Sequence, residues 1–284
     1  MKSFIGFAVL LLSFSTSGIF AAEKAIYGQD SRREIIEANE LQQNLARSVA
    51  VRIHDINLKD EYNGYYSIEY KSLASRSGVC LNERYARQNA VTTCTGFLIA
   101  DDLLVTAGHC MKTAEDCSDE SWVFDYQVES WGQSHIPEVK KENVYHCQKV
   151  LLHNYAPGKD WAIIKLNRKV RNRRPLELSS HELPKSTTLF VIGSPDGLPL
   201  KLATGSVRDN YPNFFVTNLD TFSGNSGSPV FNSFTGVVHG IVVRGEEDYE
   251  QTTARCKRNN VFLDHGGRGE QVQKIHDLVK YLGK

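Results

Sequence analysis

From residue 91 onward, short apolar runs alternate with turn-forming residues. They fall at 91–99, 103–106, 122–128, 144–152, 161–166, 189–193, 214–219, 230–231 and 237–243. Runs this short, repeatedly broken by Gly, Pro, Asn and Asp, predict β-strands, and so many of them predict an all-β barrel or sandwich. Upstream, residues 48–53 alternate apolar and polar positions with β-branched members, the period-two mark of a half-buried strand. Residues 55–89 are polar, carry Tyr62, Tyr65, Tyr66 and Tyr70, and are broken by Gly64 and Gly78; they read as an insertion holding a hairpin. Only the end predicts a clear helix, with Val272, Ile275, Leu278, Val279 and Leu282 at steps of three and four and Gly283 beyond.

The first residues add a targeting reading. Lys2, the apolar run 4–12 and the small residues of 13–22 have the pattern of a secretory signal covering 1–22, cut near Ala21 or Ala22. The run is shorter than the roughly 20 apolar residues a spanning helix needs, so the mature chain is expected to have no membrane span and to be secreted or periplasmic. Residues 23–47 then form an N-terminal arm or a short propeptide ahead of one domain, 48–284. Six cysteines in an exported chain favour disulfides. There is no C-x-x-C pair and no H-E-x-x-H segment, so neither a metal nor another cofactor is expected. Thirty-three basic residues balance thirty-three acidic ones, which excludes an overall field for nucleic acid. The basic segment of Arg168, Lys169, Arg171, Arg173 and Arg174 reads as a solvated loop, and the protein is expected to be a monomer.

Three motifs carry chemistry. Gly224-Asn225-Ser226-Gly227-Ser228-Pro229 follows Asp220-Thr221-Phe222-Ser223 between apolar runs. A serine nucleophile needs its hydroxyl on a tight turn, and flanking glycines let a substrate approach the backbone. The same turn can aim the amides of Gly224 and Ser226 at one point, an oxyanion hole. Thr106-Ala107-Gly108-His109-Cys110 follows an apolar run and pins a histidine beside a cysteine. Asp160-Trp161-Ala162-Ile163-Ile164-Lys165-Leu166 sets an acid at the mouth of an apolar strand, where a carboxylate needs a partner such as an imidazole N–H. Taken singly, the first is also a Gly- and Ser-rich loop and the third a turn aspartate after Gly158.

Together they give the chain order His, Asp, Ser. In that order, T-A-G-H-C, D-x-A-I-I-K-L and G-N-S-G-S-P resemble the chymotrypsin-like serine proteases. The resemblance implies two antiparallel six-stranded β-barrels with a C-terminal α-helix and a triad in the cleft between the barrels. It assigns Ser226 as nucleophile, His109 as general base and then acid, and Asp160 as the group that orients His109, for hydrolysis of protein or peptide substrates through an acyl-enzyme. It also implies a Cys94–Cys110 disulfide; Cys80, Cys117, Cys147 and Cys256 leave three connectivities open.

Departures from the family pattern qualify the branch. Asn225 stands where trypsin-like enzymes carry the aspartate that receives a freed N-terminus, so that mode of activation is not expected. Asn225, Ser228-Pro229 and the segment from Ile26 to Arg32 look like the bacterial glutamyl-endopeptidase branch. Yet Val242 stands at the place of that branch's specificity histidine, which argues against glutamate. Asp220 matches the acid of the trypsin pocket and would favour Arg or Lys beside the scissile bond; the alternative is an Asp turn in the loop wall. Val243 and Gly245 are expected to pair with substrate backbone, and Arg244 between them either receives acidic groups or points to solvent. The competing function is a catalytically inactive relative that binds peptides or partners through the same cleft. An esterase with the same triad would need the same parts.

Overall fold

The computed structural model describes residues 25–282, except the side chain of Asp277. The predicted signal, 1–22, lies outside these residues.

The first barrel is built from β1 (Val49–His54), β2 (Thr92–Ala100), β3 (Leu103–Thr106), β4 (Glu120–Phe124), β5 (Val144–Ala156) and β6 (Lys159–Leu166). It closes in the order β5-β6-β3-β2-β1-β4, with β4 returning to β5. The second comprises β7 (Thr188–Gly193), β8 (Lys201–Asn210), β9 (Phe214–Thr217), β10 (Pro229–Asn232), β11 (Val238–Arg244) and β12 (Glu270–Lys274). Its order is β7-β10-β11-β12-β9-β8, closed by the β7–β8 pairing. Every pairing within both barrels is antiparallel. The all-β, two-barrel architecture expected from the resemblance is thus present.

Strand periodicity sorts the side chains into three clusters. Ala50, Leu98, Leu104, Trp122, Phe124, Tyr145 and Ile164 come from all six strands of the first barrel and fill its centre. Gly96 makes the room: a Cβ there would lie 2.3 Å from Leu104 and 2.7 Å from Trp122. Leu189, Ala203, Phe215, Val230, Val242 and Val272 do the same for the second barrel. The residues of opposite parity, Val49, Val51 and Ile53 of β1 with Phe190, Phe231 and Ile241, join in a cluster shared by the two barrels. Phe190 and Phe231 stack there at 4.6 Å.

Two local readings need correction. The amphipathic spacing from Val272 predicts one helix, but Glu270–Lys274 is a strand, because β12 is flanked by β9 and β11 and hydrogen-bonds to both; the helix is His276–Tyr281. It docks Leu278 and Val279 on the shared cluster. Strand β8 is absent from the predicted set because Lys201–Asn210 is largely polar. Its Lys201 is nonetheless buried, donating to Glu34 of the short strand Arg33–Glu34 that extends the sheet beyond β8. The insertion does contain a hairpin, Leu58–Asp60 with Tyr65–Ile68, joined by Glu138–Lys140.

Candidate active site

The histidine and the acid come from adjoining pieces of the first barrel. β3 ends at Thr106, and the 3-10 turn Gly108–Cys110 turns His109 toward β6. Gly108 is required there, since a Cβ would sit 2.0 Å from the Asn154 carbonyl oxygen on the β5–β6 hairpin. Asp160, at the start of β6, is 2% exposed. Its Oδ1 accepts from the His109 backbone N–H and its Oδ2 from His109 Nδ1, both at 2.9 Å. Burial alone would raise the Asp160 carboxyl; hydrogen bonds and charge from His109, with the Arg244 guanidinium, outweigh it and hold the carboxyl below its usual range. An acceptor on Nδ1 fixes the ring so that Nε2 is the nitrogen left to act as a base.

The loop behind His109 is clamped. Cys94 and Cys110 are bridged, and Arg52 of β1 donates to the Cys110 carbonyl while pairing with Asp116 at 3.1 Å. Cys117 and Cys147 form a second bridge in this barrel. Cys80–Cys256 ties the insertion to a second-barrel loop. Among the described residues, Cys94, His109 and Cys110 bring ligand-type atoms within 4.8 Å, but both sulfurs are spent in the disulfide and provide no thiolate for a metal.

Ser226 lies in the loop entering β10, between two turns closed by Asn225 N–H to Phe222 O and Ser228 N–H to Asn225 O, each 2.9 Å. Gly224 and Gly227 both have φ of +90°, a conformation glycine adopts without steric cost. The first barrel holds this loop through Thr95: its N–H donates to the Ser226 carbonyl at 2.9 Å and its hydroxyl to the Gly224 carbonyl at 2.9 Å. Gly227 is pressed so closely that a Cβ would lie 2.0 Å from the Thr95 carbonyl and 2.9 Å from the Ala107 nitrogen. The serine loop therefore packs on the segment that carries His109. The Asn225 side chain is buried and faces inward, its Oδ1 accepting from the Ser228 hydroxyl at 3.3 Å.

A profile described as a trypsin-like peptidase domain matches residues 94–241, more than half of the 284-residue chain. The chain belongs to the chymotrypsin/trypsin-like serine protease family. A solved structure titled "Structure of Glu endopeptidase in complex with MPD" is similar at 17% identity, covering 91% of this chain and 97% of that one with a TM-score of 0.53. At that identity the likeness concerns the fold. No curated protein matches the chain.

Asp220, the acid expected to face substrate in this trypsin-like peptidase, has its partners within the chain. Asp220 is 2% exposed, and its oxygens accept from the backbone N–H of Tyr27 (2.7 Å) and from the N–H and hydroxyl of Ser31 (2.7 and 2.6 Å). It anchors the N-terminal arm. Burial, opposed by those hydrogen bonds, pushes its carboxyl up to about 6. A second acid nearby belongs to none of the sequence motifs. Glu270 of β12 is fully buried and accepts from the Tyr27 hydroxyl (3.1 Å), the Thr221 hydroxyl and the Glu246 N–H (3.3 Å). A Cβ on Gly245 would lie 2.2 Å from both of its oxygens. Its one signal in the sequence is a charge at the head of a strand-compatible run, which the helical spacing from Val272 obscures.

Strand β11 pairs with β10 only as far as Ile241, and Val242 then bonds to Gly227 and Ser228. Val243 is buried in the first-barrel cluster. His239, near the pocket in sequence, has its Nδ1 3.1 Å from the His181 carbonyl. The basic segment is partly satisfied: Arg173 grips Asp125 with two 2.7 Å bonds, and Arg168 lies 3.8 Å over the Tyr145 ring.

Proposed function

We propose that the protein is a serine endopeptidase with His109, Asp160 and Ser226 as its triad and the Gly224 and Ser226 amides as its oxyanion hole. The carrying observation is the His109–Asp160 pair, a buried carboxylate on Nδ1 of a histidine whose loop is packed against the serine turn. A protein that only binds peptides has no chemical use for that pairing. In the proposed reaction Ser226 attacks the scissile carbonyl while His109 Nε2 takes its proton. His109 then returns the proton to the leaving amine, and water releases the acyl group by the reverse use of the same groups. The edge of β11 beyond Ile241, including Val243, together with Gly245 just after the strand, receives the substrate backbone by β-augmentation.

For the residue beside the scissile bond we propose Arg or Lys. Two carboxylates, Asp220 and Glu270, flank the segment leading to Ser226, and Glu270 lies against Gly245 of the substrate-pairing edge. A carboxylate there attracts a cation and repels glutamate. The three disulfides suit an oxidising compartment, and among the described residues no helix is long and apolar enough to cross a membrane; we propose export, with 1–22 as the signal. The test is cleavage of a diverse peptide library by the purified protein, with Ser226→Ala, Asp220→Asn and Glu270→Gln beside it. Cuts after Arg or Lys that vanish in the first variant and lose their basic preference in one of the others support the reading. Cuts retained by Ser226→Ala overturn it.

A further inference from the structure

Asp160 faces a guanidinium as well as the His109 imidazole. Oδ2, the oxygen bound to His109 Nδ1, lies 3.6 Å from Arg244 Nη2, and the Arg244 side chain is 50% exposed. The backbone explains why Arg244 reaches this place. On the β12 side, β11 has a bulge: Val242 pairs with Val272 but Arg244 with Gln271, leaving Val243 as the extra residue. In a regular strand, neighbours point to opposite faces. Here the bulge lets Val243 pack into the first barrel while Arg244, the next residue, also reaches that barrel.

We propose that Arg244 is a positioning residue that sets the pH at which His109 ceases to be a base, its charge standing beyond Asp160 and opposing a second cation on the imidazole. The inference rests on the proteolytic reading only for its catalytic consequence. The Oδ2 distances to Nδ1 and Nη2 keep the guanidinium nitrogen within about 6.5 Å of the imidazole. With the Arg244 guanidinium half-exposed, solvent keeps the effective dielectric high, and one unit charge at that range moves proton uptake by about half to one pH unit. Among the described residues, the charged or titratable groups near His109 include Asp160 itself, Lys159 beside it, and Tyr155, whose ring is 6.2 Å away with Lys112 stacked on it. His153 has its Nε2 2.9 Å from the Gly108 carbonyl, and the Arg52–Asp116 pair lies on the neighbouring Cys110 loop. Gln273, which accepts the Asp160 N–H at 3.2 Å, is neutral.

The experiment follows the His109 imidazole by NMR against pH in Ser226→Ala protein carrying native Arg244, Arg244→Gln or Arg244→Lys. The acid limb of kcat/KM is recorded for the same three side chains in the active background, with a peptide free of acidic residues. The expected result is a midpoint about half to one pH unit higher for Gln and near native for Lys, in both readouts. An unmoved midpoint for Gln, or an equal shift for Lys, overturns the proposal. A shifted titration with no cleavage by native protein at any pH supports the charge relation and overturns the protease reading instead. Lost packing alone would change KM or stability without moving the midpoint.

Discussion

Replacing Asp220 by Asn removes a negative charge buried under the N-terminal arm, and the consequence for stability has a defined sign. Unfolded, the carboxyl titrates near its ordinary value of 3.8; folded, it is pushed up to about 6. Well below pH 3.8 it is protonated in both states and contributes no pH dependence. As pH rises through the window, the unfolded chain gives up the proton first, so the native state is progressively disfavoured, fully so above about pH 6. At 2% exposure there is little solvent screening, and a gap of this size corresponds to roughly 3 kcal/mol. Urea unfolding of Ser226→Ala protein with and without Asp220→Asn, at steps from about pH 3.5 to 7, isolates the effect because other titrations cancel in the difference. The stability of the protein with native Asp220, relative to the Asp220→Asn variant, should fall by about 3 kcal/mol across that range. A difference that stays flat to within about 0.5 kcal/mol, or rises with pH, refutes the reasoning about burial.

Four further outcomes follow from the packing. Gly227→Ala places a Cβ against the Thr95 carbonyl at a φ of +90°, and should cost about 1–3 kcal/mol in thermal unfolding and roughly a hundredfold or more in peptide cleavage. Asp160→Asn leaves the fold intact but removes the acceptor that orients His109; stopped assays should show kcat lower by about 10⁴. Phe231→Ala opens a cavity where the barrels share a core and should lower stability by about 3–5 kcal/mol in denaturant titration. Removing Cys80–Cys256 by double Ser substitution should cost about 2–5 kcal/mol by the same measurement, and should release the insertion to proteolysis while the barrel strands stay protected in hydrogen exchange.

How much of this is legible in the sequence depends on whether a signal is local. The strands 103–106 and 161–166 are continuous apolar runs between turn residues, and both appear in the structure within two residues of the predicted bounds. The run at 122–128 overshoots because Asp125 takes a φ of +58° and ends the strand at Phe124. The helix expected from Val272 shows the limit: a three- and four-residue spacing over a few positions also fits a strand buried on both faces, and pairing with β9 and β11 decides between them. His109, Asp160 and Ser226 are readable because each sits in a distinctive local motif. The contacts that Asp220 and Arg244 make are not. Asp220 is claimed by Tyr27 and Ser31, nearly two hundred residues earlier in the chain, and no local pattern announces that contact. Arg244 reaches Asp160 only because of a bulge that depends on the partner strand's register.

The most direct test of the central claim is covalent labelling by a fluorophosphonate, which reacts with a serine only when an adjacent base activates it. The folded protein should acquire one adduct, mapped by mass spectrometry to Ser226, and His109→Ala should acquire none. A folded protein that takes up no label, or labels elsewhere with Ser226 untouched, would contradict the triad.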